Sequence, residues 1–146
     1  MRELPRQLSV DELADLFEGR TRFVERLAQE EDPFEHARTL VHELPYEEKV
    51  EVLAAHPAIG QRAGLSARSA TEQGTEDDPA VLEELARLNT AYEERHGFRF
   101  VVFVDRRPKS EILDVLRVRI TNPTDQELET ALSELVAIAE DRWRRG

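Results

Sequence analysis

The sequence predicts an all-α fold: a single domain over residues 1–146, built as an irregular bundle of about seven or eight helices with one short extended segment near 98–104. Three observations carry this. Apolar residues recur at three- and four-residue spacing through most of the chain, the period of a helix with one buried face. Ser, Thr, Asp and Pro stand just ahead of those runs, where helix starts use them. Only one stretch, FRFVVFV at 98–104, reads as extended, and a lone strand cannot form a sheet.

In chain order, Ser9-Val10-Asp11-Glu12 has the spacing of a capping box and leads into Leu13, Leu16 and Phe17. That helix breaks near Gly19, and a second carries Phe23, Val24 and Leu27. Asp32-Pro33 opens a third, with Asp as N-cap and Pro in the first turn. Its apolar residues are Phe34, Ala37, Leu40, Val41 and Leu44. Pro45 opens a fourth, running through Tyr46, Val50, Leu53 and Ala54 up to His56. Residues 60–78, GQRAGLSARSATEQGTEDD, are small and polar, with Leu65 the one large apolar side chain. Loops of that length in a compact domain tend to be functional or disordered. Asp78-Pro79 starts a long helix with Val81, Leu82, Leu85, Leu88, Asn89 and Tyr92, ending at His96-Gly97. Ser110 starts another, with Ile112, Leu113, Leu116 and Ile120. Thr124-Asp125-Gln126-Glu127 is a second capping box, ahead of a last helix carrying Leu128, Leu132, Leu135, Val136, Ile138, Ala139 and Trp143.

Composition narrows the function. With 146 residues, 40% hydrophobic, the chain can bury a core without covalent staples. It has no cysteine, which excludes disulfides and thiolate chemistry. The N-terminus has no apolar signal core and no run reaches membrane-spanning length, so a cytoplasmic protein without a membrane partner is expected. The formal net charge is −11, and the arginines are interspersed with glutamates. A nucleic-acid binder needs a cationic face, so that partner is not expected. An acidic field also repels a small anion, so a site for one must bring its own positive charge.

Four histidines are present. His36 and His42 fall in a charged helix and read as surface residues; His96, before Gly97, reads as a helix-end residue. His56 follows an apolar approach and precedes Pro57, which restricts the backbone before it. It reads either as a plain helix end or as a proton carrier at a fixed angle. Ser69-Ala70-Thr71-Glu72-Gln73 has capping-box spacing, and a polar helix start there can also hold an anion or a hydrogen-bonding ring. Arg142 lies at the edge of the stripe formed by Ile138, Ala139 and Trp143. It is either a cation facing the helix dipole or a guanidinium aimed inward. No zinc spacing, phosphate loop or nucleophile elbow is present, so no metal site is expected.

The ordered set His56-Pro57, Ile59-Gly60, Leu65-Ser66 and Ser69-x-x-Glu72-Gln73 resembles the OHCU decarboxylase family, where OHCU is 2-oxo-4-hydroxy-4-carboxy-5-ureidoimidazoline. The resemblance continues through Leu88-Asn89-x-x-Tyr92, Gly97-Phe98-x-Phe100, Arg119-x-x-Asn122, Glu127, Ala131-Leu132, Ile138 and Arg142, with Phe17-Glu18 as an early pair. It departs from the family pattern at Gly19 to Phe23, at Gly74 to Asp78, and in having His-Pro-Ala-Ile for His-Pro-Asp-Leu.

The resemblance implies an all-helical carboxy-lyase of urate catabolism that forms (S)-allantoin, needs no cofactor and is a homodimer. It implies His56 as the acid/base residue, Glu72 as its catalytic partner, and Arg142 as the arginine pointing into the site. Pro57, Ser69, Gln73 and the main chain of Phe100, Val101, Val102, Phe103 and Val104 are implied substrate contacts. The substrate has a carbon–nitrogen double bond beside the carboxylated carbon, so it carries its own electron sink. Two other readings remain: an acidic helical interaction module without catalysis, and a related enzyme for another ureido or imidazolone acid.

Overall fold

The computed structural model describes residues 7–59 and 78–145, and among these there are seven helices and no strand. They are α1 (Val10–Phe17), α2 (Arg22–Leu27), α3 (Pro33–Glu43), α4 (Tyr46–Ala54), α5 (Pro79–His96), α6 (Lys109–Arg119) and α7 (Thr124–Arg145). The all-α expectation holds, and residues 99–104 form neither helix nor strand.

Most starts follow the chemistry read from the sequence. The Ser9 side chain accepts from the Glu12 backbone while the Glu12 carboxylate accepts from the Ser9 N–H, so the box closes in both directions. Each satisfies an amide that the first helical turn leaves open. Ser9→Ala is expected to lower stability by about 1 kcal/mol, read as a reduced denaturation midpoint with an unchanged denaturant slope. Asp32 and Asp78 cap α3 and α5 as expected, each followed by Pro. Two details differ. Helix α6 begins at Lys109 behind Pro108, not at Ser110, because Pro108 takes the N-cap position in an extended conformation. The second capping box does not form through Glu127. That carboxylate is fully buried and bonds Tyr92, Asn122 and Arg119 instead.

Helix α7 organises the molecule. It packs against α1, α3, α4 and α5, while α5 lies along α6. Its buried stripe, Leu128, Leu132, Leu135, Val136, Ala139 and Trp143, joins Leu13, Phe17, Phe23, Val52 and Leu53 in one core. Phe17 meets Phe23 edge-on at 5.2 Å, and Trp143 lies against Phe34 at 6.2 Å. Each such side chain, fully buried, contributes roughly 1.5–3 kcal/mol. Among the described residues no helix is long and apolar enough to cross a membrane.

Helix α1 ends with Glu18, not Gly19, in the left-handed conformation, at φ 67°. A non-glycine residue there costs on the order of 1 kcal/mol. A Cβ on Gly19 would stand 3.4 Å from the Cβ of Ala55, an ordinary van der Waals contact, so the α1 end lies beside the α4 end, one residue before His56.

Candidate active site

Helix α4 stops at Ala54, and the His56 N–H still reaches the Leu53 carbonyl at 3.2 Å. Pro57 has no N–H to continue the ladder. The turn that follows is pinned at both ends by side chains from elsewhere. The Arg99 guanidinium donates to the His56 carbonyl, and the buried Asn89 amide donates to the Ile59 carbonyl at 3.0 Å. His56 is consequently held inside the molecule, 5% exposed, although it lies outside any helix.

Among the described residues neither ring nitrogen of His56 has a hydrogen-bond partner. Burial disfavours its charged form, and the Arg142 guanidinium adds to this; Glu18 and the Val52 carbonyl oppose it, and Arg99 adds a smaller push downward. The net result is a pKa pushed down to about 4, so the imidazole is neutral near pH 7. A buried, neutral histidine is in the form that can accept a proton.

Arg142 reaches in from the last turns of α7 and is 2% exposed. Its Nη1 donates to the Leu16 carbonyl at 3.1 Å, and its Nη2 lies 2.9 Å from Glu18 Oε1. The inward-aimed alternative is the one observed. The left-handed Glu18 serves this pair: its backbone turns there so that its carboxylate meets the guanidinium.

The third component is the extended segment. Phe100, Val101, Val102, Phe103 and Val104 run past His56 and Arg142, and together they line a cavity of about 110 Å³. At the end of the segment Asp105 and Arg106 both have positive φ, 49° and 62°, and the Arg107 N–H closes back onto the Val104 carbonyl at 3.0 Å. This tight turn needs left-handed backbone at both central residues, and it sets Arg106 at the cavity wall.

Of the residues expected from the sequence, His56, Pro57, Arg142 and all five of Phe100 to Val104 line this one cavity. Ser69, Glu72 and Gln73 lie outside the described residues. Ile59 and Ile138, quoted above without a role, form apolar wall. Asp105, Arg106, Asp141 and Arg145 also line the cavity and were not foreseen. For Arg145 a signal existed: it sits three residues after Arg142, on the same helix face, and four after Asp141, which it pairs with at 3.0 Å. Arg106 had no comparable signal, because its placement depends on the turn. Three arginines face two aspartates, Asp105 and Asp141, in this lining, so the cavity is slightly cationic in a chain of net charge −11. Among the described residues no group of three His, Asp or Glu side chains is placed to hold a metal.

A buried imidazole, a buried guanidinium and a stretch of main chain around one small cavity define a class: an all-helical protein with a small pocket of mixed polar and apolar lining. Comparison with known proteins gives the lineage. Residues 2–144 match the OHCU decarboxylase family. A 2-oxo-4-hydroxy-4-carboxy-5-ureidoimidazoline decarboxylase of Haloferax volcanii is 30% identical over 144 residues, covering 91% of this chain and 85% of the relative. A uric acid degradation bifunctional protein of Arabidopsis thaliana is 33% identical over 105 residues, covering 66% of this chain but 32% of that longer protein. Among solved structures, an OHCU decarboxylase crystallised in the presence of (S)-allantoin superposes with a TM-score of 0.75 at 26% identity, covering 90% of this chain and 94% of the other. The chain belongs to the OHCU decarboxylase family.

Proposed function

We propose that this chain decarboxylates OHCU to (S)-allantoin in urate degradation, with His56 as the acid/base group. The observation that carries the reading is the meeting of a buried, neutral His56 with Arg142 at one cavity, in a member of this family.

The substrate's carboxylate makes it an anion, and Arg142 with the neighbouring Arg145 and Arg106 attracts it against the overall charge of −11. Main-chain groups of Phe100 to Val104 meet the amide edges of the ring and ureido group. Ser69 and Gln73 are assigned to the same contacts and Glu72 to the proton path beside His56; Pro57 fixes the backbone angle of His56. The bond to the carboxylate breaks, carbon dioxide leaves, and the electron pair moves toward the adjacent carbon–nitrogen double bond. The nitrogen of that double bond takes up a proton from solvent, the ureido-bearing carbon gains a second, and the hydroxyl on the neighbouring carbon gives up its own to become a carbonyl. His56 serves one of the last two transfers. Because the imidazole is neutral near pH 7, it is in the form that can accept the hydroxyl proton. Holding the ring in one orientation delivers the new proton to one face.

The test is direct. OHCU generated from urate with urate oxidase and hydroxyisourate hydrolase is mixed with the protein, and optical activity is followed. Accumulation of (S)-allantoin faster than spontaneous decay is the expected result; racemic product at the uncatalysed rate would exclude the reading. The same protein is proposed to act as a single-domain, cytoplasmic homodimer, checked by light scattering in solution and by subcellular fractionation.

A further inference from the structure

The segment is held by side chains on either side of Val102. The Val101 carbonyl accepts from Arg119 Nη1 at 2.8 Å. The Phe103 N–H donates to Glu134 at 3.3 Å. The Phe103 carbonyl accepts from Arg107 Nη2 at 2.6 Å, and the Val104 carbonyl accepts from Arg107 Nε at 3.0 Å. Among the described residues the N–H and C=O of Val102, which lines the cavity, have no partner. These contacts to residues 101, 103 and 104 fix the main chain on both sides of Val102, whose own polar groups stay open.

Arg119 is itself held firmly. Its Nε bonds Glu127 Oε1 at 2.9 Å, its guanidinium carbon sits 4.6 Å from the centre of the Phe100 ring, and it is 7% exposed. Tyr92 Oη donates to the same Glu127 oxygen at 2.6 Å, and Asn122 donates to the other at 2.9 Å. This network lies behind the segment, so none of it is needed for proton transfer. It is the second contact of these side chains, to main-chain carbonyls, that bears on the cavity.

We propose that Arg119 and Arg107 are positioning residues that engage the carbonyls of Val101, Phe103 and Val104 and so keep the main-chain groups of Val102 in register for the ring of the substrate. The proposal rests on the decarboxylase reading above. Buried amide groups left open for a ligand select strongly for molecules that pair with them, and they do so only if the backbone is already in place. Arg107 performs this with a forked donor that reaches two carbonyls at once, a geometry lysine cannot reproduce.

The experiment compares wild type, Arg107→Ala, Arg107→Lys and Arg119→Lys for KM, kcat and the inhibition constant of added (S)-allantoin, with thermal denaturation alongside. Arg107→Ala should raise KM and the inhibition constant together by about tenfold, the equivalent of one hydrogen bond's worth of alignment. Its kcat should stay within about threefold of wild type, because neither His56 nor Arg142 is touched. Arg107→Lys should behave like Arg107→Ala, not like wild type. A purely structural role would instead lower the melting temperature and the active fraction while KM and the inhibition constant stayed fixed, and that result overturns the proposal. Should Arg119→Lys fail to fold, the two Arg107 variants decide alone. An inactive wild type overturns the decarboxylase reading and this proposal together; an active wild type with unchanged KM in folded variants overturns this proposal only.

Discussion

Replacing His56 with Gln is expected to lower kcat roughly 10²- to 10⁴-fold, the range contributed by a positioned acid/base group, while the chain remains folded. Gln fills similar space and can hydrogen-bond, but it cannot exchange a proton near neutral pH. The pH profile carries a second signature. An ordinary histidine would give kcat/KM an acid limb near pH 6.5. With the His56 pKa at about 4, the limb should lie well below that, and activity should be flat through neutrality. Stability follows the same group. Above pH 6.5 the imidazole is neutral in both folded and unfolded chains, so it adds no pH dependence. Between pH 6.5 and about 4 the unfolded chain binds a proton that the folded chain refuses, so stability falls as pH drops. The loss approaches about 3 kcal/mol and levels off below the folded pKa. The Gln variant should lack that component of acid destabilisation, seen by comparing denaturant midpoints of the two proteins from pH 7 to pH 4. A variant with nearly full turnover would remove His56 from the chemistry.

The legible parts of this protein were those written in local spacing. Ser9 with Glu12, Asp32 with Pro33 and Asp78 with Pro79 announce helix starts because capping depends on residues within four positions of each other. His56 was singled out for the same reason, since Pro57 fixes its backbone from one residue away. Glu127 shows where local reasoning ends. Its spacing from Thr124 fits a capping box, but Arg119, Tyr92 and Asn122 offer a buried carboxylate three stronger bonds, and the tertiary partners win. Arg142 was ambiguous on its own helix; the deciding partners, Leu16 and Glu18, lie more than a hundred residues earlier. The Asp105–Arg106 turn is only half signalled: Asp enters the left-handed region readily, but Arg106 is not a usual left-handed former. The family resemblance supplied the grouping of His56, Arg142 and the 100–104 segment that spacing alone could not.

Arg142→Met should cost more than activity alone. Removing one member of a buried ion pair typically costs about 3–5 kcal/mol, and here Glu18 loses a guanidinium 2.9 Å away while remaining in its strained backbone conformation. kcat/KM should fall by about 10²-fold or more, the scale of losing a charge-assisted contact to an anion in a buried site. The sharper consequence concerns His56. Arg142 lowers the imidazole pKa and Glu18 raises it. Deleting the cation removes a cause that holds the pKa down and leaves Glu18 still raising it, so the pKa rises and the acid limb of the residual activity moves to higher pH. Adding Glu18→Gln removes the opposing charge, and the limb should move back down because burial, the largest cause, is still present. The double variant should also recover part of the lost stability, a coupling that the two single variants and the pair together measure. Acid limbs that coincide in wild type, Arg142→Met and the double variant would mean that the guanidinium and the imidazole do not act on each other, and the cavity would then lack the electrostatic link on which its proton chemistry is argued.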